Sequence, residues 1–335
     1  MIIESSAPTR VDLAGGTIDI WPLYLFHARA STVNFALSLR ARVTIETRKD
    51  DKIILESRDR GIRIESSLDS LDDLVRDEEL ELVSKMVHFF RPETGFHLVT
   101  HSEAPAGAGI SGSSALAIAL IGALNQLVGN RYDDGQFIGL AANIETTVIK
   151  VPAGIQDYYP AFYGSVSAIH LRPDGVEREP LTVDADELER RFVICYTGQP
   201  RKSGINNWEV FKKHIDGDRT LFQIFEVIRD AAEQMREALQ AGDWNAVGEI
   251  MRRAYPNRKR LAPNITTPQM DQLVATALAN GAEAAKVCGA GGGGCIAFLC
   301  TPERKQDVVR ALSESEGAEV LDWQVAREGL TIEER

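Results

Sequence analysis

The segment Pro105-Ala-Gly-Ala-Gly-Ile-Ser-Gly-Ser-Ser-Ala115 carries three glycines and three serines, between an extended stretch and an apolar run with helical spacing. Glycines permit backbone angles that turn several amides toward one point. A helix start adds unpaired N–H groups and the positive end of the helix dipole. The segment therefore predicts a phosphate-binding loop. Its candidate contacts are Pro105, Gly107, Ala108, Gly109, Ser111, Gly112, Ser113 and Ser114.

The same residues allow a second interpretation, in which the segment is only a tight strand-to-helix turn. Ser113 or Ser114 would then serve as the helix N-cap. The loop also lacks the Gly-Lys-Ser/Thr of a P-loop NTPase. Any phosphate site here is therefore of another kind.

Outward from this loop, the chain alternates between strand-like and helical segments. Residues 38–48, 96–101, 164–170 and 191–197 read as strands, and 52–65 reads as a hairpin centred near Arg60-Gly61. Residues 80–90, 113–128, 134–149, 154–163, 301–315 and most of 205–261 read as helices, and 319–328 as a closing strand. This uneven segregation indicates an α+β protein. We expect domains at 1–175 and 176–335, with a turn at Arg172-Pro-Asp-Gly175 near the boundary.

The net charge of the chain indicates which classes of binding partner to expect. The 335 residues carry a formal charge of −12, which argues against a general affinity for nucleic acid or an anionic membrane. It leaves an anionic small-molecule substrate open, because a phosphate site needs only a few placed cations and amides. The four cysteines lack CxxC spacing and lie in apolar contexts, and no signal peptide is evident. We therefore expect reduced thiols and a cytoplasmic location.

Two further segments make the chain recognisable. One is Ala7-Pro-Thr-Arg-Val-Asp-Leu-Ala-Gly-Gly-Thr-Ile-Asp19, and the other is Lys286-Val-Cys-Gly-Ala-Gly-Gly-Gly-Gly-Cys295. With the loop at 105–115, their order and spacing resemble the GHMP kinases, the superfamily of galactokinase, homoserine kinase, mevalonate kinase and phosphomevalonate kinase. The likeness is greatest to the D-glycero-D-manno-heptose 7-phosphate kinase-like branch. It implies an N-terminal domain like ribosomal protein S5 domain 2 and a C-terminal ferredoxin-like α/β sandwich.

The resemblance implies transfer of the γ-phosphoryl group of ATP, with Mg²⁺, to a sugar or sugar-phosphate hydroxyl. Asp157, in Gly154-Ile-Gln-Asp157, matches the catalytic aspartate of the superfamily, and Arg10 stands where relatives carry Lys or Arg. Glu145 matches the acidic magnesium partner, with Ser113 as the second oxygen ligand and Ser114 one step away. Without the resemblance, each of these three charged residues would read as a solvated surface group.

The acceptor side rests on three segments. Asp19 matches the aspartate that binds sugar hydroxyls, with Gly15, Gly16 and Thr17 beside it. The loop Gly289–Gly294 is expected to pack against the phosphate loop and to border the active site, with Gly291 and Gly292 near the substrate. Arg201 and Lys202 are candidates for phosphate contacts, although a solvated basic turn fits them equally well. The basic run Arg252-Arg253…Arg258-Lys259-Arg260 reads as a solvated helix face.

The chain departs from the heptose kinase-like pattern at two points, and both concern substrate identity. Thr17 and Ile18 stand where that branch tends to have Gly and Thr, and Ser111-Gly112 is transposed. Heptose 7-phosphate is therefore one candidate acceptor beside other sugars and sugar phosphates. A galactokinase-like enzyme, a mevalonate-pathway kinase or decarboxylase, and a non-catalytic ligand sensor stay open as alternatives. We expect a monomer or a homodimer.

Overall fold

The structure, a computed structural model, describes residues 1–201 and 205–335, and for residues 205 and 206 the backbone only. Lys202 therefore lies outside the described residues. The described chain forms twelve β-strands and ten α-helices. The strands are β1 (Ile2–Ala14), β2 (Ser31–Thr47), β3 (Lys52–Ser57), β4 (Ile62–Ser67), β5 (Phe96–Ser102), β6 (Val166–Arg172), β7 (Gly175–Pro180), β8 (Phe192–Tyr196), β9 (Ala282–Val287), β10 (Cys295–Cys300), β11 (Glu319–Val320) and β12 (Thr331–Glu334). The helices are α1 (Glu81–Phe90), α2 (Gly112–Leu127), α3 (Asp134–Ile149), α4 (Tyr158–Tyr163), α5 (Ala185–Arg191), α6 (Ile205–Ile215), α7 (Arg219–Ala241), α8 (Trp244–Arg260), α9 (Pro268–Ala279) and α10 (Lys305–Ser313).

The larger sheet has eight strands in the order β12-β1-β2-β5-β3-β4, with β6 paired to β2 and β7 to β6. The predicted hairpin around Arg60-Gly61 is confirmed as β3–β4, and the predicted turn near Pro173 joins β6 to β7. The register of β1 on β2 shifts between Pro8 and Thr9. Such a bulge re-aims the side chains that follow it, and Arg10 is the second residue beyond it.

Helix α2 is the central helix of the N-terminal half. Its residues from Ser114 to Asn125 are buried apart from Leu116, so the helix is apolar on every side. Small residues such as Ala117, Ala119 and Gly122 let it lie close to β1 and to the C-terminal strand β12. The helix therefore has a fixed position, and its first turn is held at one place relative to β1.

The smaller sheet is antiparallel, in the order β11-β8-β10-β9. One face shares a core with α7, α8 and the residues Val11, Leu13 and Phe35 of the larger sheet, and the other face packs on α9 and α10. The α+β class predicted from the sequence is confirmed. Of the helices in the described chain, none combines the length and apolarity needed to cross a bilayer. All four cysteines are free and buried.

Two expected elements differ from the structure. The helix expected at 154–163 begins only at Tyr158, and the closing strand expected at 319–328 is only the two-residue β11. After β11 the chain leaves the smaller sheet, where Leu321 N–H bonds Ile194, and crosses to the larger one, where Ala326 N–H bonds Ala36. The chain then ends in β12, which pairs with β1. The division at residue 175 stays a prediction, because β7 and β12 add later residues to the first sheet.

Candidate active site

A polar cleft of about 200 Å³ opens where the three sequence motifs meet. The first motif contributes Arg10, Asp12, Gly16, Thr17 and Asp19, and the start of α2 contributes Ser113 and Ser114. The wall also includes residues from six other parts of the chain. They are Glu145, Gly154, Gln156, Asp157, Tyr158, Arg201, Asn207, Arg258, Gly289 and Ala290. Residues far apart in the sequence thus share one concave surface, as ligand sites commonly do.

Arg10 and Asp157 form the ion pair at the centre of this cleft. Arg10 donates from Nε and Nη2 to Asp157 Oδ1 over 2.9 and 2.6 Å, and from Nη1 to the carbonyl of Gly109 over 3.2 Å. The arginine is 2% exposed and the aspartate 21%. Burial lowers the pKa of Arg10, but Asp157 and then Asp12 outweigh it, so the net shift is upward. Arg10 therefore keeps its charge, and the carboxyl of Asp157 is partly open to the cleft.

The N-terminus of α2 faces the cleft without a capping side chain. Ser111 precedes the helix in the left-handed region, with φ of 69°, and its side chain makes no cap hydrogen bond. The amides of Gly112, Ser113 and Ser114 donate to no acceptor among the described residues. Unpaired first-turn amides and the helix dipole favour an anion at this position.

Glu145 is held beside this helix start, on α3. Its Oε2 accepts from Ser114 Oγ over 3.1 Å and from Tyr158 OH over 2.7 Å, and Ser113 also reaches its carboxyl. Burial raises the pKa of Glu145, and the hydrogen bonds oppose that shift. The structure thus brings Glu145 together with Ser113, the expected second metal ligand, and with Ser114, the alternative. Ser113 is exposed and Ser114 is buried.

Asp19 also lines the cleft and is fixed by N–H donors. Its carboxyl accepts from Thr17 N over 3.1 Å, from Gln156 N over 3.0 Å and from Gln156 Nε2 over 3.2 Å. A Cβ on Gly154 would lie 2.1 Å from Asp19 Oδ2, so a glycine is required there for the carboxyl to fit. Burial, and next the negative charge of Asp157, raise the pKa of Asp19 to about 7.

The predicted phosphate loop packs against the Gly289–Gly294 loop, as expected. A Cβ on Gly294 would meet the carbonyl oxygen of Ala108 at 2.6 Å, and one on Gly289 would meet that of Gly109 at 2.7 Å. Cys295 N–H donates to Ala108 O over 2.7 Å. Of the predicted loop contacts, only Ser113 and Ser114 line the cleft, while Pro105, Gly107, Ala108, Gly109 and Ser111 do not.

Three glycines expected near the acceptor lie outside the cleft wall. A Cβ on Gly15 would meet Ser31 O at 2.1 Å, so the close approach there is to strand β2. Gly291 and Gly292 lie instead against the backbone of residues 264 and 265, and Gly292 N–H donates to Ile265 O over 2.9 Å. Gly289 and Ala290 are the residues of that loop that reach the cleft.

Sequence reasoning missed three charged residues. Asp12 and Arg258 line the cleft, and Lys286 is the ion-pair partner of Asp12. Asp12 is 2% exposed and accepts from Lys286 Nζ over 2.5 Å and from Gly289 N over 3.3 Å. Burial alone would raise the pKa of Asp12, but Lys286 and then Arg10 hold it below its ordinary value. Two residues after Arg10 on one strand, Asp12 shares its face, and that spacing is a signal that could have found it.

Arg258 corrects the expectation of a solvated basic helix face on α8. Its guanidinium lines the cleft and donates from Nη1 to Gly16 O over 3.3 Å and to Thr17 Oγ1, and from Nη2 to Gly289 O over 2.8 Å. Arg201 also lines the cleft, beside Gly109 and Gly289. Only tertiary packing distinguishes Arg258 from the other basic residues of its run.

A second cavity of about 320 Å³ adjoins the cleft at the start of α2. Gly112, Ser113 and Leu116 form one wall. The facing wall includes Ser57, Arg60, Leu80, Leu82 and Thr100. Ser113 lines both cavities, so the two adjoin at the helix N-terminus.

Comparison with known proteins agrees with this arrangement. Residues 81–165 match the family described as "GHMP kinases N terminal domain", and residues 235–318 match "GHMP kinases C terminal". The D-glycero-alpha-D-manno-heptose 7-phosphate kinase of Campylobacter jejuni is 28% identical, over 98% of each chain, and a mevalonate kinase of Thermococcus onnurineus is 26% identical, over 100% of this chain and 99% of its own. The crystal structure of a D-glycero-D-manno-heptose 1-phosphate kinase from Bacteroides thetaiotaomicron superposes with a TM-score of 0.80 at 26% identity, covering 99% of each chain. This chain belongs to the GHMP kinase family.

Proposed function

We propose that this GHMP kinase transfers the γ-phosphoryl group of ATP to a hydroxyl of a sugar or sugar phosphate, with D-glycero-D-manno-heptose 7-phosphate as the first candidate. The observation that carries the proposal is the Arg10–Asp157 pair, which shares one cleft with the uncapped start of α2. A carboxylate open to the cleft and an anion-binding helix start are the two features that transfer to an alcohol requires.

ATP binds across the N-terminus of α2 in this proposal. Its phosphates take the free amides of residues 112–114, and its nucleoside occupies the second cavity, which Ser113 shares with the cleft. The residues from Pro105 to Ser111 support this site, because Gly289 and Gly294 lack a Cβ and let the carbonyls of Ala108 and Gly109 pack closely against them. Arg201, at the junction of the two loops, neutralises phosphate charge.

Glu145 with Ser113 or Ser114 fits a magnesium site. Mg²⁺ is held by one or two protein oxygens together with waters and substrate phosphates, and this carboxyl has hydroxyls beside it at the helix start. Held by Glu145 and one of these serines, the ion would neutralise the negative charge that develops during transfer. Tyr158 and Ser114 hold the carboxyl in place from the protein side.

Asp157 is the general base in this scheme. Its Oδ1 is occupied by Arg10, and its carboxylate accepts the proton that the acceptor hydroxyl releases as its oxygen attacks the γ-phosphorus. Arg10 orients the carboxylate through its two hydrogen bonds. Asp19, with Gly16 and Thr17, binds the acceptor hydroxyls, and Gly15, Gly291 and Gly292 act indirectly by setting the loop backbones.

Replacing Asp157 tests the proposal. Asp157→Asn keeps the size of the side chain and removes the base, so we expect phosphoryl transfer to fall by about 10²–10⁴-fold while ATP still binds. Product formation from a panel of hexoses, heptoses, their phosphates and mevalonate would be followed by mass. Activity close to wild type in Asp157→Asn would remove the base assignment.

The same panel separates the alternatives. Phosphorylation of mevalonate alone would favour a mevalonate-pathway enzyme, and ATP binding without any phosphorylated product would favour a ligand sensor. For the whole protein we propose domains at 1–175 and 176–335, a monomer or homodimer, and a cytoplasmic location. The location is supported by four buried cysteines that form no disulfide.

A further inference from the structure

Arg258 differs from the other basic residues near the end of α8. Arg252, Arg253, Lys259 and Arg260 are exposed, whereas Arg258 is partly buried and lines the cleft. It stands seven residues after Met251, which is buried in the core. Residues seven apart share a helix face, so α8 directs this one guanidinium inward.

The contacts of Arg258 fix its guanidinium between two loops. Nη1 donates to Gly16 O and Thr17 Oγ1, and Nη2 donates to Gly289 O. A guanidinium has five N–H donors. These three contacts leave two donors without a partner among the described residues, beside the open space of the cleft.

Charge pairing in the cleft leaves Arg258 without a carboxylate of its own. Arg10 is paired with Asp157, and Lys286 with Asp12. Arg258 has no carboxylate within 4.0 Å among the described residues, although Asp12 and Asp19 act on it from further away. A partly buried cation with spare donors is a ready site for an anion.

The position of Arg258 assigns this anion to the acceptor rather than to ATP. Thr17 contacts Arg258 through its hydroxyl, and through its N–H it donates to the carboxyl of Asp19 over 3.1 Å. Through Thr17, Arg258 of α8 is therefore bonded to the loop that carries Asp19. Arg201 shares Gly289 with Arg258, but its other neighbour is Gly109 of the phosphate loop, where Arg258 has Gly16 and Thr17.

We propose that Arg258 binds a phosphate group on the acceptor and so makes the enzyme selective for phosphorylated sugars over neutral ones. The inference rests on the proposed sugar kinase function and deepens it. The planar guanidinium suits the two-point binding of phosphate oxygens. Asp19 holds the sugar hydroxyls on the same wall, and Asp157 faces the hydroxyl that is phosphorylated.

The test compares three acceptors that carry a phosphate, no charged group, or a carboxylate. The kcat/KM values for D-glycero-D-manno-heptose 7-phosphate, D-glycero-D-manno-heptose and a sugar acid, D-mannuronic acid, would be measured for wild type, Arg258→Gln and Arg258→Lys. We expect Arg258→Gln to lower kcat/KM for the phosphorylated sugar by about 100-fold, mainly through KM, and to lower kcat/KM for the neutral sugar by a much smaller factor, through the lost contacts to Gly16 and Thr17. Arg258→Lys should lie between wild type and Arg258→Gln. Arg260→Gln, an exposed arginine on the same helix, is the matched control and should behave as wild type.

Two other results would overturn the inference. Equal losses for the phosphorylated and neutral sugars would mean that Arg258 only holds the loops together. If the wild-type enzyme preferred the neutral sugar or the sugar acid, Arg258 would not be a residue that selects phosphorylated acceptors. If no acceptor is phosphorylated, the kinase proposal fails. Calorimetric binding of heptose 7-phosphate to wild type and Arg258→Gln, with a non-hydrolysable ATP analogue present, then decides the role of Arg258 on its own.

Discussion

Asp19 receives three N–H hydrogen bonds, and such bonds favour the ionised carboxylate. Burial acts in the opposite direction and is the larger effect, followed by the negative charge of Asp157, so the pKa rises to about 7. The carboxyl that we assign to the acceptor hydroxyls is therefore half-protonated near neutrality. Its protonation links acceptor binding to pH.

Asp19 should give the acceptor affinity a pH dependence. The ionised carboxylate accepts from two hydroxyls, whereas the protonated form loses part of that capacity, so KM for the acceptor should fall as pH rises through about 7. Asp19→Asn should bind the acceptor more weakly and lose this dependence. KM would be measured from pH 6 to pH 8.5 in both proteins. The same slope in the variant would assign the titration to another group.

Asp19 should also affect stability, and the sign is fixed by its pKa. Its ordinary value is 3.8 and its folded value is about 7. Between these values the folded state binds more protons than the unfolded state, so the free energy of unfolding falls as pH rises. In Asp19→Asn, the free energy of unfolding should fall less steeply over this pH range, because the titrating carboxyl is absent.

At the scale of elements, the two glycine loops depend on each other. Gly294 has φ of 82°, and a Cβ there would lie 2.6 Å from Ala108 O. Gly112 has no such constraint, because its φ is not left-handed and a Cβ would meet nothing within 4 Å. The two positions therefore form a matched pair within the same loop assembly.

Gly294→Ala should destabilise the protein by about 2 kcal/mol or more, through left-handed strain and the backbone clash. Gly112→Ala should leave the free energy of unfolding nearly unchanged, since its Cβ enters open space and alanine favours a helix. Denaturant unfolding of both variants measures the difference. Similar values for the two would mean that the loops are not packed as described.

Much of this element structure could be predicted from the sequence, because its signals are local. Helix α3 occurs at the predicted residues, and the hairpin turn at Arg60-Gly61 is also where it was expected. Arg10, Glu145 and Asp157 line one cleft, and it was the resemblance to the GHMP kinases that indicated these three residues. The inward turn of Arg258 could not be predicted, because its neighbours in sequence are also basic and only its packing distinguishes it. The crossing at residues 321–326 was missed since its backbone partners, Ile194 and Ala36, are distant in sequence.

At the scale of the whole molecule, the two sheets are joined beneath the cleft. Asp12 belongs to β1 of the larger sheet and Lys286 to β9 of the smaller one, and their ion pair of 2.5 Å is nearly buried. Asp12 also lies 3.8 Å from Arg10 and accepts from the Gly289 amide. The pair therefore fixes the first and third motifs to each other.

Breaking this pair from one side should cost more stability than removing both charges. Lys286→Met leaves the Asp12 carboxylate buried without its partner, and we expect a loss of about 3 kcal/mol. Asp12→Asn combined with Lys286→Met removes the stranded charge, so part of that loss should be recovered. Lys259→Met, which breaks an exposed pair with Asp271, should cost less than about 1 kcal/mol and serves as the control.

The stability lost in Lys286→Met should depend on pH if the lysine acts through its ion pair with Asp12, and not if it acts only by packing. Because Lys286 and then Arg10 hold the pKa of Asp12 below its ordinary value against the effect of burial, the stability that the pair contributes is present at neutral pH. That stability disappears as pH falls and Asp12 takes up a proton. Urea unfolding at pH 7 and in mild acid should therefore show the gap between wild type and Lys286→Met narrowing in acid. A gap that stays constant with pH would show that the lysine contributes only its hydrocarbon chain.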